Sequence, residues 1–180
     1  MENMNDLRDL LRYDTQCLLS AEEQIIEALP LMIKKAHNPE LKMALEQHLR
    51  ITEQQRDRLD QVLLQLGGTQ DTGIFSGLFS GGLESKGMEG LIDDGQKVMA
   101  ADMSPAVMDA AIIGCAQKIE HFEIAGYGTA RTYAEQLGLT DVAQLLQQTL
   151  MEEHDADERL TNLAVNRVNQ QAERGTSVSR

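Results

Sequence analysis

Aromatic residues are scarce in this 180-residue chain: tryptophan is absent, and aromatics make up 3% of the sequence. Proline occurs only at Pro30, Pro39 and Pro105, whereas alanine, leucine, glutamine and glutamate are plentiful. β-Strands favour aromatic and β-branched residues, while the plentiful residues here are strong helix formers. The composition therefore predicts an all-α protein, with enough length for one domain and its hydrophobic core.

Basic residues are outnumbered by acidic ones, and long apolar runs are absent. The excess of Asp and Glu gives a net charge of −13, which argues against nucleic acid and anionic membrane surfaces as partners. No basic region followed by an apolar run opens the chain, and no stretch approaches the ~20 apolar residues of a membrane-spanning helix. Cys17 and Cys115 have no CxxC spacing, so both are expected to be buried, reduced thiols. We therefore expect a cytoplasmic protein.

What the chain does contain is a set of helix start and stop signals around an apolar period of 3.6 residues. The predicted helices run from Asp6 to Lys35, from Pro39 to Leu66, from about residue 86 to 102, from Pro105 to Leu137, and from Thr140 to about Gln171. Very short loops separate the first two and the last two long helices, so each pair is expected to form an antiparallel hairpin. Two hairpins joined by one long crossover is the connectivity of a ferritin-like four-helix bundle. We expect residues 1–171 to form this bundle and residues 172–180 to form a flexible tail.

The first part of the crossover, residues 67–85, is rich in glycine and carries Phe75 and Phe79. Its apolar side chains either rest against the chain's own bundle as part of a flexible linker, or residues 72–83 bind a partner protein. The glycines do not fit a phosphate-binding pattern, because neither the preceding strand nor the following Lys-Ser/Thr is present.

Acidic side chains occupy the apolar faces of the predicted helices. Glu120 and Glu123 fall in the same heptad phase as Ile113, Ala116 and Tyr127, and Glu22 lies on the apolar face of the first helix. Glutamate is rarely buried unless it is paired, protonated or bound to a cation. A metal site inside the bundle is the leading explanation.

The spacing of the two hairpins supports this explanation. The same number of residues separates Glu22 from Gln55 and Glu120 from Glu153, so each pair is expected to meet at the same level of its hairpin. Carboxylates from several helices can bridge two cations, and hard oxygen ligands suit iron or manganese. The sequence therefore predicts a di-metal centre, with iron expected before manganese, whose ligands are Glu22, Gln55, Glu120, Glu123 and Glu153.

Two further residues lie close to these in the helical pattern. His48 lies on the buried face of the second helix, either as a partner of the ligands or as a core residue with its polar contacts satisfied, and we favour the latter. Tyr127 lies one turn past Glu123 and is either a redox or hydrogen-bonding neighbour of the site or a core residue with its hydroxyl satisfied.

Several short motifs occur in a fixed order: Ser20-Ala21-Glu22 with Gln24, His48-Leu49 with Thr52 and Gln55, Met88-Glu89-Gly90-Leu91-Ile92, Gln117 to Ala125 with Tyr127-Gly128, Ala134 to Gly138, and Glu152-Glu153. Over about residues 14–170 the chain resembles the YciF-like ferritin-like family of bacterial stress-response proteins. The resemblance implies a ferritin-like bundle, commonly dimeric, with a di-metal centre, and it supports the four glutamates as ligands. The family typically has a glutamate where this chain has Ile51, while Gln55 is retained.

Two functions follow from these observations. The first is a stress-associated protein that holds an iron or manganese pair on carboxylates inside the bundle, with oxygen or peroxide chemistry as its expected extension. The alternative is a non-catalytic homodimeric interaction module whose Gly/Phe-rich loop engages a partner and whose buried glutamates are neutral. The sequence identifies no catalytic residue and no organic cofactor, and it leaves open whether the protein is an enzyme.

Overall fold

The structure is a computed structural model, and it describes residues 4–67 and 83–174. These residues form helices α1 (Leu7–Lys35), α2 (Pro39–Gln65), α3 (Lys86–Met99), α4 (Pro105–Gln136), α5 (Thr140–Leu163) and α6 (Asn169–Arg174). A π-helical turn, Ala164–Val168, joins α5 to α6. Neither described stretch contains a β-strand, and none of their helices is long and apolar enough to cross a membrane. The predicted fold class is confirmed.

The helix boundaries follow from local capping. The side chains of Asp6, Asn38 and Ser104 each accept hydrogen bonds from backbone N–H groups in the first turn of the helix that follows. Gly67 and Gly138 adopt φ values of 102° and 70° after α2 and α4, a conformation that glycine reaches without steric cost. Asn38 and Gly138 lie in the short connections between α1 and α2 and between α4 and α5, and these short connections force each pair of helices to run antiparallel.

The four long helices pack as a bundle in which α1 lies against α2 and α4, and α5 lies against the same two helices. The two hairpins are joined by buried hydrogen bonds: the carboxylate of Asp109 on α4 accepts the backbone N–H groups of His37 (2.6 Å) and Asn38 (2.9 Å) in the α1–α2 turn. The short helix α3 packs on α1 and α4, where Ser20 Oγ accepts the N–H of Ser85 at 3.1 Å.

Two predicted helix boundaries differ from the structure by more than one residue. The short crossover helix begins at Lys86 but ends at Met99, before the predicted residue 102. The last helix was expected to end near Gln171, yet helical structure continues through the π-helical turn to Arg174. Leu160, Ala164 and Val168 are all buried along this continuation, and α4 contacts both the π-helical turn and α6, so the added turns still pack against the bundle. Of the predicted loop and tail, residues 68–82 and 175–180 lie outside the described residues.

The core consists of two apolar clusters with a polar layer between them. One cluster includes Ile25, Leu45 and Ile112, and the other includes Leu11 and Leu59. The residues between these levels along each helix are the buried polar ones, Glu22, Thr52, Gln55, Glu120, Glu123 and Glu153. The bundle therefore encloses a layer of carboxyl groups in a water-poor interior.

Candidate metal centre

All five residues predicted as metal ligands lie in this polar layer. Glu22 and Glu153 are 0% exposed, and Gln55, Glu120 and Glu123 are each 1% exposed. They come from α1, α2, α4 and α5, so each of the long helices contributes at least one of them. Their predicted burial is confirmed, and the heptad phase on α4 correctly predicted that Glu120 and Glu123 face inward.

Four donor groups come within the reach of one ion. His48, Glu120, Glu123 and Glu153 each present one donor atom such that all four atoms lie within 4.8 Å of one another. The imidazole Nε2 of His48 lies 3.4 Å from Glu120 Oε1. A buried cluster of three carboxylates and one imidazole at this separation could hold a metal ion.

The other two predicted residues contact this group of four. The carboxyl groups of Glu22 and Glu123 interact with each other, and the phenol of Tyr127 donates a hydrogen bond to Glu22 Oε1. The side-chain nitrogen of Gln55 donates to Glu153 Oε1 at 2.5 Å. Glu22 and Gln55 thus flank the four donors on the α1 and α2 sides.

Unpartnered polar atoms are concentrated in this layer. In the described part of the chain, eight buried side-chain nitrogen or oxygen atoms lack a hydrogen-bond partner, and six of the eight belong to the cluster. The six are Glu22 Oε2, His48 Nδ1, Gln55 Oε1, Glu120 Oε2, Glu123 Oε1 and Glu153 Oε2. Buried polar atoms are normally paired because an unpaired one costs about 1–3 kcal/mol. The unpartnered atoms are therefore concentrated in the layer whose side chains could hold a metal ion.

The electrostatics of the cluster favour uncharged side chains when no cation is present. Burial raises the pKa of Glu120 to about 8, and burial followed by the charge of Glu153 raises the pKa of Glu22 well above its usual range. Burial also raises the pKa values of Glu123 and Glu153 well above theirs, with neighbouring carboxylates adding to the effect. For His48, burial lowers the pKa to about 4, which keeps the imidazole neutral.

These raised pKa values describe a metal-free cluster whose carboxyl groups keep their protons. The Glu123 carboxyl interacts with that of Glu22, and the Glu153 carboxyl interacts with that of Glu120. Carboxyl groups must be ionised to bind a metal, so cations would displace these protons. The neutral imidazole of His48 is already in the form that coordinates metals.

The prediction for His48 was wrong. We favoured a core histidine with its polar contacts satisfied, but its Nδ1 is buried without a partner and its Nε2 faces Glu120. Periodicity correctly placed this residue on the buried face of α2, but it could not show that the ring contacts α4, because that is a tertiary contact.

Of the two cysteines, Cys115 is buried and Cys17 is half-buried, and both are free thiols.

Sequence analysis also missed Arg58 and Glu152. Arg58 is 8% exposed, and its guanidinium forms two hydrogen bonds to the Glu152 carboxylate, at 2.9 Å and 3.1 Å. Arg58 lies three residues past Gln55, so the rule that found Glu120 and Glu123 would have found it as a charged residue on a buried helix face.

Fold and site together define this protein as a ferritin-like helical bundle with a buried cluster of carboxylates and one imidazole. The chain belongs to the family DUF892, described as a domain of unknown function, whose model matches residues 6–173. It is 39% identical over 171 residues to Protein YciF of Escherichia coli strain K12, a match that covers 95% of this chain and 98% of the relative.

Solved structures show the same relationship. The crystal structure of the E. coli stress protein YciF matches with a TM-score of 0.82 and 37% identity, covering 93% of this chain and 99% of that one. YcfI of Rhodopseudomonas palustris, for which a structural role has been suggested, matches with a TM-score of 0.80 and 36% identity over 89% and 96% of the two chains. A protein from Xanthomonas campestris pv. campestris, at 24% identity and a TM-score of 0.68, shares the fold. The resemblance to the YciF-like family is confirmed.

Proposed function

We propose that this protein binds a pair of iron or manganese ions on the carboxylates inside its bundle and serves in the bacterial stress response. The observation that carries the proposal is the set of six unpartnered donor atoms in one buried layer. If this layer served only for packing, we would expect these atoms to be hydrogen-bonded or apolar side chains to stand in their place.

The donor set fits this choice of metals. Four glutamates, one amide oxygen and one imidazole are mostly hard oxygen donors, which suit iron and manganese better than copper, whereas soft thiolates are absent from the cluster. Four ionised glutamates carry four negative charges, and two divalent cations carry four positive charges. Metal binding would therefore leave the buried layer without net charge, which a low-dielectric interior favours.

Each residue has a role that follows from its contacts. Glu120, Glu123, Glu153 and His48 would hold the ions, Glu22 would complete the set beside Glu123, and Tyr127 would keep Glu22 in place through its hydrogen bond. The two apolar clusters above and below exclude water from this layer. An iron or manganese pair, when bound, supplies redox chemistry with oxygen or peroxide, which is consistent with the stress-protein description of YciF.

A second candidate function is favoured by the structural role suggested for YcfI. In this alternative the protein is a homodimeric scaffold, residues 72–83 engage a partner protein, and the carboxyl groups keep their protons. Exposed apolar side chains at Met43, Met151 and Val165, each at least 58% exposed, supply the bundle with surface that a second copy could cover.

Metal analysis separates the two functions. We expect protein purified without chelator, then incubated with Fe(II) under anaerobic conditions or with Mn(II), to hold close to two ions per chain by inductively coupled plasma mass spectrometry. The variant Glu120→Gln/Glu153→Gln, which keeps the side-chain volumes, should lose them. Glu46→Gln/Glu53→Gln is the matched control, because both residues are exposed on α2, and it should bind as the wild type does. A folded wild-type protein that takes up neither metal would contradict the proposal and support the scaffold.

A further inference from the structure

Two consecutive glutamates at the edge of the cluster have opposite environments. Both carboxylate oxygens of Glu152 are fully engaged: Arg58 donates to each of them, Gln148 Nε2 donates at 3.1 Å, and Gln55 Nε2 donates at 3.2 Å. Glu153, the next residue, accepts a hydrogen bond from Gln55 at Oε1, and its Oε2 is buried without a hydrogen-bond partner among the described residues. The Glu152 carboxylate is therefore fully hydrogen-bonded, whereas the Glu153 carboxylate has an oxygen available to a ligand.

Arg58 causes this difference between Glu152 and Glu153. Its guanidinium is buried, binds Glu152 through two nitrogens, and also donates to Thr149 Oγ1. A planar guanidinium presents its donors in a fixed fork, so this contact sets the orientation of the Glu152 carboxylate as well as neutralising it. Arg56, two residues earlier on α2, has a 36% exposed side chain and forms a salt bridge with its exposed neighbour Asp57.

The orientation of Gln55 depends on this arrangement. Its side-chain nitrogen lies between oxygens of Glu152 and Glu153, and the amide oxygen could not occupy that place without facing two carboxylates. The carbonyl oxygen is consequently held away from them and is one of the six unpartnered atoms of the cluster. Glu152 thus fixes which end of the Gln55 amide is available as a ligand.

We infer that Arg58 is a positioning residue of the metal centre, acting through Glu152 and Gln55 to hold the Glu153 carboxylate and the Gln55 carbonyl ready for metal. The inference rests on the proposed metal binding. Without Arg58, Glu152 would be a half-buried carboxylate that has lost its positively charged partner. It could then draw the Gln55 amide toward itself or compete with Glu153 for a metal ion. Residues that orient metal ligands typically change metal affinity by about 10–100-fold when they are removed.

The test is a Mn(II) titration by calorimetry, with the visible spectrum of Co(II)-loaded protein as a second readout of the ligand set. We expect Arg58→Met to weaken Mn(II) binding about 10–100-fold and to alter the Co(II) spectrum. Arg58→Lys keeps the charge but loses the fork, so it should fall between Arg58→Met and the wild type. Arg56→Met, the matched control on the same helix, should leave both readouts unchanged.

A double variant distinguishes positioning from a general effect on folding. If Arg58 acts through Gln55, then Gln55→Leu/Arg58→Met should bind Mn(II) about as weakly as Gln55→Leu alone, while its unfolding midpoint in urea is still lower. Arg58→Met binding like the wild type, or affinity losses of the two single variants that multiply in the double variant, would overturn the inference. If Arg58→Met does not fold, Arg58→Lys decides: an affinity and a Co(II) spectrum equal to the wild type would overturn it. A wild-type protein that binds neither metal would refute the proposed function itself.

Discussion

The phenol of Tyr127 on α4 donates a hydrogen bond to Oε1 of Glu22 on α1, and both side chains are 0% exposed. The contact occupies one oxygen of Glu22 and leaves Oε2 without a partner. Burial raises the pKa of Tyr127 well above its usual range, so the phenol remains a donor at any ordinary pH. The result is a carboxylate held across two helices with one oxygen free to bind a cation.

Removing that donor should destabilise the metal-free protein. Tyr127→Phe leaves Glu22 Oε1 buried without its partner, so we expect the free energy of unfolding to fall by about 1–3 kcal/mol. Urea unfolding followed by circular dichroism measures the change. Tyr133→Phe removes a hydroxyl from a partly buried tyrosine on the same helix and should have a much smaller effect. Equal losses in the two variants would show that the Glu22 contact contributes nothing special.

The stability of the metal-free protein should decrease as pH rises. The folded-state pKa of Glu120 is about 8, and those of Glu22, Glu123 and Glu153 are well above the usual value. The native state therefore holds more protons than the unfolded state above about pH 4.5, and each retained proton makes unfolding easier by about 1.4 kcal/mol per pH unit. Urea midpoints at about pH 5.5, 7 and 8.5 should fall in that order.

His48 has the opposite effect on the pH dependence of stability, because its contribution to the free energy of unfolding decreases as the pH falls. Its folded-state pKa is lowered to about 4, so the unfolded chain binds a proton below about pH 6.5 that the native imidazole does not. That contribution is lost as pH falls from 6.5 to 4, which places the stability maximum of the metal-free protein in the weakly acidic range. Saturating Mn(II) should flatten the decline above this maximum, because cations replace the carboxyl protons. A metal-free protein whose midpoint rises steadily from about pH 5.5 to 8.5 would rule out protonated carboxyls in its core.

Replacing one cluster glutamate by its amide should separate stability from metal binding. The amide of Glu123→Gln can donate to Glu22 as the protonated carboxyl does, but it does not ionise. At about pH 8 we expect the metal-free variant to be more stable than the wild type by at least about 1 kcal/mol, and to hold less metal. Glu46→Gln, exposed on α2, should change neither property. A variant less stable than the wild type at this pH would show that the interior does not resist the ionised carboxylate.

Close packing between α1 and α4 is tested by two glycines on α4. A Cβ at Gly126 would lie 2.8 Å from Leu18 Cδ2, whereas a Cβ at Gly128 has no atom within 4 Å. Gly→Ala in a helix gains up to about 1 kcal/mol from helix propensity, and overpacking a core costs about 1–3 kcal/mol. Gly128→Ala should therefore raise the free energy of unfolding. The free energy of unfolding of Gly126→Ala should be about 1–3 kcal/mol lower than that of Gly128→Ala. The same midpoint for both would mean that Leu18 moves aside at no cost.

Much of the site could be predicted from the sequence because helical periodicity is a local property. Glu120 and Glu123 share a heptad phase with Ile113 and Tyr127, and a residue in that phase must face the core whatever the partner helix is. The short loops then force neighbouring helices to be antiparallel, so the connectivity of a ferritin-like bundle follows from cap signals and loop lengths.

The failures concern contacts between helices. Nothing along α2 shows that the imidazole Nε2 of His48 lies beside Glu120, or that Arg58 reaches Glu152 on α5. The π-helical turn at Ala164–Val168 also depends on packing, since an α-helical reading of α5 and α6 fits the same residues.

By itself, the sequence determined which side chains turn inward and in what order the helices connect, since both depend on residues close together along the chain. Only the tertiary structure decided which of those side chains meet, which atoms are left without hydrogen bonds and how burial shifts their pKa values. Distances between helices and the loss of water around a carboxyl group arise when the bundle closes. A local pattern contains neither.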